Sequence, residues 1–308
     1  MYQFKLAKIG KVTAKTDWLS AIALGTALLG IATASILIAI ASKEMQPNAI
    51  TCDRLIIATI IFSCWNAFTI SKEDTANSSY TVRAIALLVL AGVSFAVSLA
   101  LWAWSLTQTS IANSTLLNNM MPIFTTLGGW FLFRQKFSLR FLIGMGVAVL
   151  GAIAIGVEDL QVADSNLIGD GAALLAAMFS AISILTIKQL RSQFATSLVM
   201  QWTSLAGCLF LLPLVVIDRE QLLPSSATVW LAIISLGLIS QAIGQGLLTY
   251  SLARFSSGFV AVSMLAIPAI AAVLALIIFA EQLSLFNWLA FVVVLSGIYL
   301  AISGEKSD

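Results

Sequence analysis

The chain has 308 residues, 60% of them hydrophobic and only 10% charged, and its formal net charge is +2. Soluble domains carry about 25% charged residues, so an ordinary water-soluble fold is excluded. With no histidine in the chain, most metal sites and His-dependent catalysis lack their raw material, so no metal, no cofactor and no enzyme activity are expected.

A bilayer core about 30 Å thick is crossed by about 20 helical residues at about 1.5 Å each. Uncharged stretches of that length place ten spans, at 18–41, 47–70, 84–106, 110–132, 138–157, 168–188, 196–217, 228–250, 256–279 and 284–302. The first follows Lys5, Lys8, Lys11 and Lys15 and runs 24 residues. That is well beyond the roughly 7–15-residue core of a signal peptide, so a retained helix is expected. The second carries Asp53 and Arg54 near its outer end, and Arg54 serves there either an outer gate or a local ion pair. Cys52 and Cys64 are twelve residues apart on that helix, about 18 Å, too far to bridge. With Cys208 they read as buried structural thiols.

The third span aligns Ser94, Ser98, Trp102 and Ser105 on one face. A tight turn at 107–110 leads into the fourth, the most polar, where Thr115, Asn118, Asn119 and Pro122 share a face at helical spacing. Beyond the fifth span a short acidic linker, 158–167, joins the two halves of the chain. The seventh span adds Gln201 and Trp202, and the eighth Gln241, Gln245 and Thr249. Pro268 lies inside the ninth, and Glu281 follows it as either a titrating rim group or a water-facing helix end. Trp18, Trp230 and Trp288, near span ends, read as interfacial anchors.

Buried amides in membrane helices either line a water-filled path or join helices, the latter contributing about 0.6 kcal/mol per contact. Both readings stay open for Thr115, Asn118, Asn119, Gln241 and Gln245. The two prolines each remove a helical hydrogen bond, giving paired hinges or ordinary packing kinks. No Asp, Glu, Lys or Arg lies near the middle of a predicted span. A deep cationic pocket for a phosphate is therefore not expected, and a proton-coupled cycle would fall to Glu281 at the rim.

Orientation follows from the Lys and Arg count. With the N-terminus in the cytoplasm, inside segments carry 13 of these residues and outside segments two, Lys43 and Arg219. Both termini are expected in the cytoplasm, as short tails at 1–17 and 303–308. No basic stripe is interleaved with aromatics on a soluble segment, so nucleic acid is not an expected partner.

The chain also repeats itself at an offset of 146 residues, which lays Pro122 over Pro268, Ser138 over Ser284 and Gly151 over Gly297. From 86/232 to 151/297 the copies share 14 identities in 66 positions. Units of five spans, an odd number, must enter the membrane from opposite sides. The charges agree: Arg134, Lys136 and Arg140 of the first copy face Ala280, Gln282 and Phe286 of the second. Internal repeats of this kind mark secondary transporters. The expected fold is all-α integral membrane, ten transmembrane helices as two inverted five-helix repeats at 18–157 and 168–302.

Arg54 near the start of the second span, prolines within the fourth and ninth, Glu281-Gln282-Leu283-Ser284 and the terminal Gly297-Ile298-Tyr299-Leu300 occur in a familiar order. Together they resemble the EamA-type branch of the drug/metabolite transporter superfamily, over about residues 18–302. One departure is Gln135, where the family commonly has Glu. The resemblance implies a central cavity between the repeats, lined by spans three, four, eight and nine. Trp102, Thr115, Asn118, Asn119, Gln241 and Gln245 are its candidate lining, Pro122 and Pro268 its hinges, Arg54 and Glu281 its gates. It further implies a secondary transporter of amino-acid-like metabolites, working by alternating access in a bacterial-type inner membrane, with export as the direction. The partners are then a small-molecule substrate and membrane lipid, and coupling to the proton gradient or homodimerisation is compatible with the scaffold. The alternative is a non-transporting membrane receptor or assembly protein on the same frame.

Overall fold

A computed structural model describes residues 14–69, 81–109, 111–157, 167–279 and 283–305, and every regular element among them is helical. In the first half lie α1 (Ala14–Ala41), α2 (Pro47–Thr69), α3 (Val82–Gln108), α4 (Ile111–Asn118), α5 (Met121–Phe133) and α6 (Leu139–Val157). In the second lie α7 (Leu167–Leu190), α8 (Thr196–Ile217), α9 (Ala227–Ser235), a π-helical segment (Leu236–Gln245) and α10 (Gly246–Ser251). They are followed by α11 (Ser257–Ser263), α12 (Ala266–Phe279) and α13 (Leu285–Glu305).

Helix starts follow local chemistry. Pro47 opens α2, where its missing N–H would be unpaired anyway. Thr81 and Ser226 cap α3 and α9 by accepting from the N–H groups of Ala84 and Val229. Ser138 and Ser284, one offset apart, cap the last helix of their halves, accepting from Phe141 and Asn287 at 3.1 Å each. That shared serine is a stop-and-restart signal kept in both copies.

Among the described residues eight helices are long and apolar enough to cross a membrane, against ten expected. The difference lies in the fourth and fifth. The fourth, divided into α4 and α5, is not among the eight, although the ninth counts as one span over Ser257–Ile278; the fifth has a shorter apolar stretch, Leu139–Ile155. The ninth is broken at the equivalent place, between α11 and α12. Prolines explain both breaks. Pro122 and Pro268 sit in the first turn of α5 and α12, where a missing N–H costs nothing. Ahead of each, the chain tightens to three-residue hydrogen bonds, Met120 N–H to Leu117 O and Leu265 N–H to Val262 O, both 3.1 Å.

Packing obeys the offset. α1 lies against α9, the π segment and α10, just as α7 lies against α3; α2 pairs with α8, and α6 with α13. α5 packs on α7 and α12 on α1, while α5 and α11 meet directly. Each of these contacts except α5–α11 maps onto another, or onto itself, when the halves are exchanged, as two copies around a pseudo-twofold axis require; α5–α11 has no comparable α4–α12 counterpart, so the two ends of the bundle differ. Individual atoms agree: a Cβ on Gly151 would lie 2.7 Å from Val294 N, and a Cβ on Gly297 would lie 2.7 Å from Ala148 Cα. Both pairs, 151/297 and 148/294, are one offset apart. Small residues here let helices approach to backbone distance, the usual means of association where lipid supplies no hydrophobic drive.

Charged side chains at the helix ends tie the bundle. Glu220 accepts from Asn48 Nδ2 (2.9 Å) and Ala49 N–H (2.6 Å) at the start of α2. Glu44 accepts from Ser225 and Ser226 N–H at the start of α9. At the opposite end Lys188 Nζ donates to the carbonyls of Leu252 (2.6 Å) and Phe255 (2.7 Å). Acids at N-termini and a cation at a C-terminus both complement the helix dipole.

Candidate functional site

The two halves meet at a buried polar centre. Arg54 of α2, only 5% exposed, donates from Nε (3.0 Å) and Nη2 (2.7 Å) to the single Oε1 of Gln241 in the π segment. Its guanidinium carbon lies 5.7 Å from the centre of the Phe95 ring on α3, within cation–π range. Phe95 and Gln241 are one offset apart, as are Arg54 and Met200. Phe95, Met200 and Gln241 line one cavity with Leu55, Ser183, Ile187, Thr203, Ser204, Gln245 and Thr249. The four equivalent positions thus converge around the pseudo-twofold axis. The cavity measures about 20 Å³, room for roughly one water. Ser204 Oγ, on a residue 2% exposed, has no hydrogen-bond partner there. Thr249 directs its hydroxyl to Met200 Sδ at 3.1 Å, a weak acceptor.

This geometry revises two expectations. Arg54 was placed at the outer rim beside Asp53; it is instead turned inward onto the other half. A deep cation was not expected, yet the guanidinium meets Gln241 near the middle of the 25-residue span Ala227–Ser251. The long arginine side chain carries a charge well away from its own Cα, so counting residues to the middle of a span misplaces it. Among the described residues no carboxylate pairs with Arg54.

The other candidates divide. Gln241 and Gln245 line the cavity, whereas Trp102, Thr115, Asn118 and Asn119 are not part of its wall. Those four lie on α3, α4 and the break after it. Asn119 Nδ2 and Trp102 Nε1 are buried without a hydrogen-bond partner, at a cost of about 1–3 kcal/mol each in a dry interior. Pro122 and Pro268 stand at the paired helix breaks. Glu281 lies outside the described residues. Gln201 joins α8 to α2, accepting from Asn66 Nδ2 (2.6 Å) and donating to Ser63 Oγ (3.0 Å).

Three features escaped the sequence reading. The π-helical turns bearing Gln241 and Gln245 have no local sequence signature, though Gly237, Gly244 and Gly246 cluster there. Such turns frequently occur at functional sites. The close crossing of α1 over this segment was equally hidden: a Cβ on Gly30 would lie 3.3 Å from Gly244 Cα. The third miss is the approach of Cys52 and Cys208, whose Sγ atoms are 3.5 Å apart across the halves. Offset arithmetic brings α2 and α8 together and was the available signal.

A chain whose described residues are all-helical in their regular elements and include eight apolar spans, folded as equivalent halves around a buried polar centre, is an integral membrane protein of the inverted-repeat class. It belongs to the EamA-like transporter family, whose sequence model matches residues 18–157 and again residues 167–303. The chain is therefore a membrane transporter by family. It is 23% identical over 258 residues to a Bacillus subtilis (strain 168) protein described as "Uncharacterized transporter YetK", covering 82% of this chain and 77% of that one. A solved crystal structure with 15% sequence identity superposes at a TM-score of 0.80, covering 94% of this chain and 99% of the other, and shares the fold.

Proposed function

We propose that the protein is a secondary transporter of small amino-acid-like solutes, exporting them across a bacterial-type inner membrane by alternating access of its two halves. The observation that carries this reading is the Arg54–Gln241 centre, one charge and several amides and hydroxyls buried where four equivalent positions of the repeats meet. Midplane sites at a repeat interface are where such folds hold their solute. The paired breaks before Pro122 and Pro268 supply a bending point in each half. They separate α11, which packs on α5, from α12, which packs on α1. With both termini cytoplasmic, the α5–α11 contact closes the inner end, aided by a 3.2 Å hydrogen bond between Ser257 Oγ and Gln135 Oε1. The description of the Bacillus subtilis relative as a transporter points the same way.

Purified protein reconstituted into liposomes and assayed with labelled amino acids and related metabolites tests the proposal. Saturable flux of at least one is expected, and none for any would sink it. A cysteine placed at Asn118, in a background lacking the native thiols, separates transport from a purely scaffolding role. Membrane-impermeant reagent should reach it alternately from the two sides. Inertness from both sides would favour helix-joining over transport.

A further inference from the structure

We infer that Arg54 is the solute-binding cation of this transporter, that its ligand is a carboxylate joined to a small apolar body, and that Gln241 Oε1 occupies the carboxylate position in the present conformation. The inference rests on the transporter reading only in taking the repeat interface as the solute path.

The geometry of the pair carries it. Nε and Nη2 form one edge of the guanidinium fork, the edge that matches two carboxylate oxygens in parallel. Here both converge on a single neutral oxygen, at 3.0 and 2.7 Å. An amide oxygen satisfies that edge less well than an anion, because hydrogen bonds with an ionised partner are roughly twice as strong. A guanidinium also has five N–H donors, and this one has no carboxylate partner among the described residues. Charges inside membrane helices pair with one another or mark a solute path, and Arg54 lacks the first.

The surroundings narrow the ligand. Ser204 Oγ is buried and unpartnered on the wall of the cavity that Gln241, the partner of Arg54, also lines, a second donor for an anionic head once Gln241 is displaced. Phe95, Leu55, Ile187 and Met200 form apolar walls. One cation beside apolar walls suits a monocarboxylate or zwitterion better than a phosphate, which brings more charge and three hydrogen-bonding oxygens. At about 20 Å³ the cavity is closed to any such solute, so binding must separate α2 from the π segment and exchange Gln241 for the ligand.

Matched probes test this in the full chain: leucine against leucinamide and phenylalanine against phenylalaninamide, by thermal shift and by liposome flux. A charge-assisted pair contributes about 1.5–3 kcal/mol. The acid of each pair should therefore stabilise the protein at concentrations about tenfold or more below its amide. Arg54→Gln should bring each pair within about twofold while the amide response persists. Gln241→Leu, which removes the competing acceptor, should increase the shift given by the acids; this variant carries the test should Arg54→Gln not fold. Equal responses to acid and amide in the unaltered protein, or a preference that survives Arg54→Gln, would overturn the inference. So would acids that lose effect in Gln241→Leu. Acid binding through Arg54 without flux would leave the site standing and remove the transporter reading. Flux indifferent to the carboxylate would do the reverse.

Discussion

Replacing Gly297 by alanine probes whether the α6–α13 seam is set by backbone contact. The added Cβ would lie 2.7 Å from Ala148 Cα and 2.7 Å from the Gly144 carbonyl oxygen. Ordinary carbon contacts are about 3.5–4.0 Å, and both obstructing atoms are backbone, which cannot turn aside. One helix must retreat by about 1 Å, enough to forfeit a quarter to a half of the dispersion energy along the seam. Overpacking of this kind costs about 1–3 kcal/mol, against a helix-propensity gain of about 1 kcal/mol. Gly146, on the facing helix α6, has nothing within 4 Å of its virtual Cβ, so alanine there keeps the gain without the clash. Gly151 is intermediate, because two of its three close atoms, Val294 Cγ2 at 2.8 Å and Val293 Cγ1 at 3.0 Å, are side-chain ends that can rotate. Thermal or denaturant unfolding of the three variants in one detergent should rank them 146, 151, 297 from most to least stable, with roughly 2 kcal/mol between the extremes. Equal stability of Gly146→Ala and Gly297→Ala would refute the close-contact argument.

Lys188→Met should destabilise the protein by about 1–3 kcal/mol, because two charged hydrogen bonds to the end of the α10 turn are lost; unfolding of the variant checks this, and an unchanged midpoint contradicts it. The Ser226 side chain and the Ser225 and Ser226 N–H groups hold the Glu44 carboxyl below its ordinary range, outweighing the opposing effect of burial. A depressed carboxyl pKa stabilises above the unfolded value of about 4 and ceases to do so as pH falls through the lowered one. The acid limb of unfolding should thus be shallower in Glu44→Gln. A limb of unchanged steepness would deny the contact. Mild oxidation of a Cys64→Ser variant should consume both remaining thiols together, since Cys52 and Cys208 are already 3.5 Å apart. Mass spectrometry showing two free thiols left after oxidation would place α2 and α8 farther apart than described.

Much of the frame was legible because its signals are local or arithmetical. Uncharged runs give spans, and the offset of 146 between Pro122 and Pro268 gives equivalent helices. Serines 138 and 284 show why that arithmetic works: both copies keep the cap that restarts the last helix. The prolines stand at the two breaks, at positions where the sequence reading had continuous spans with hinges or packing kinks. The site was less legible. Gln241 and Gln245 were found because amides are rare in apolar helices, but the π turn presenting them leaves no periodic mark. Arg54 was noticed as a gate or local ion pair, but its Cα lies near the start of α2 while its charge lies against Gln241 of the other half. Side-chain reach, not sequence position, decides where that charge acts.

The centre also shows what the two copies have exchanged. If the halves were identical, positions 54 and 200 would carry one residue type and positions 95 and 241 another. A solute would then meet the same groups from either side. Instead the polar members, Arg54 and Gln241, bond to each other, and their equivalents, Met200 and Phe95, supply apolar wall to the same cavity. The contact between 54 and 241 maps, on exchange of the halves, onto 200 and 95, so the pseudo-twofold axis relates a polar pair to an apolar one. An amphipathic solute on that axis has one orientation that places its charged head at Arg54 and its apolar body toward Phe95 and Met200. The reversed orientation buries a charge against hydrocarbon, at a cost of several kcal/mol. On the proposal that Arg54 binds the solute, the duplicated frame holds that solute in a single direction, because the residues at its four equivalent positions have diverged.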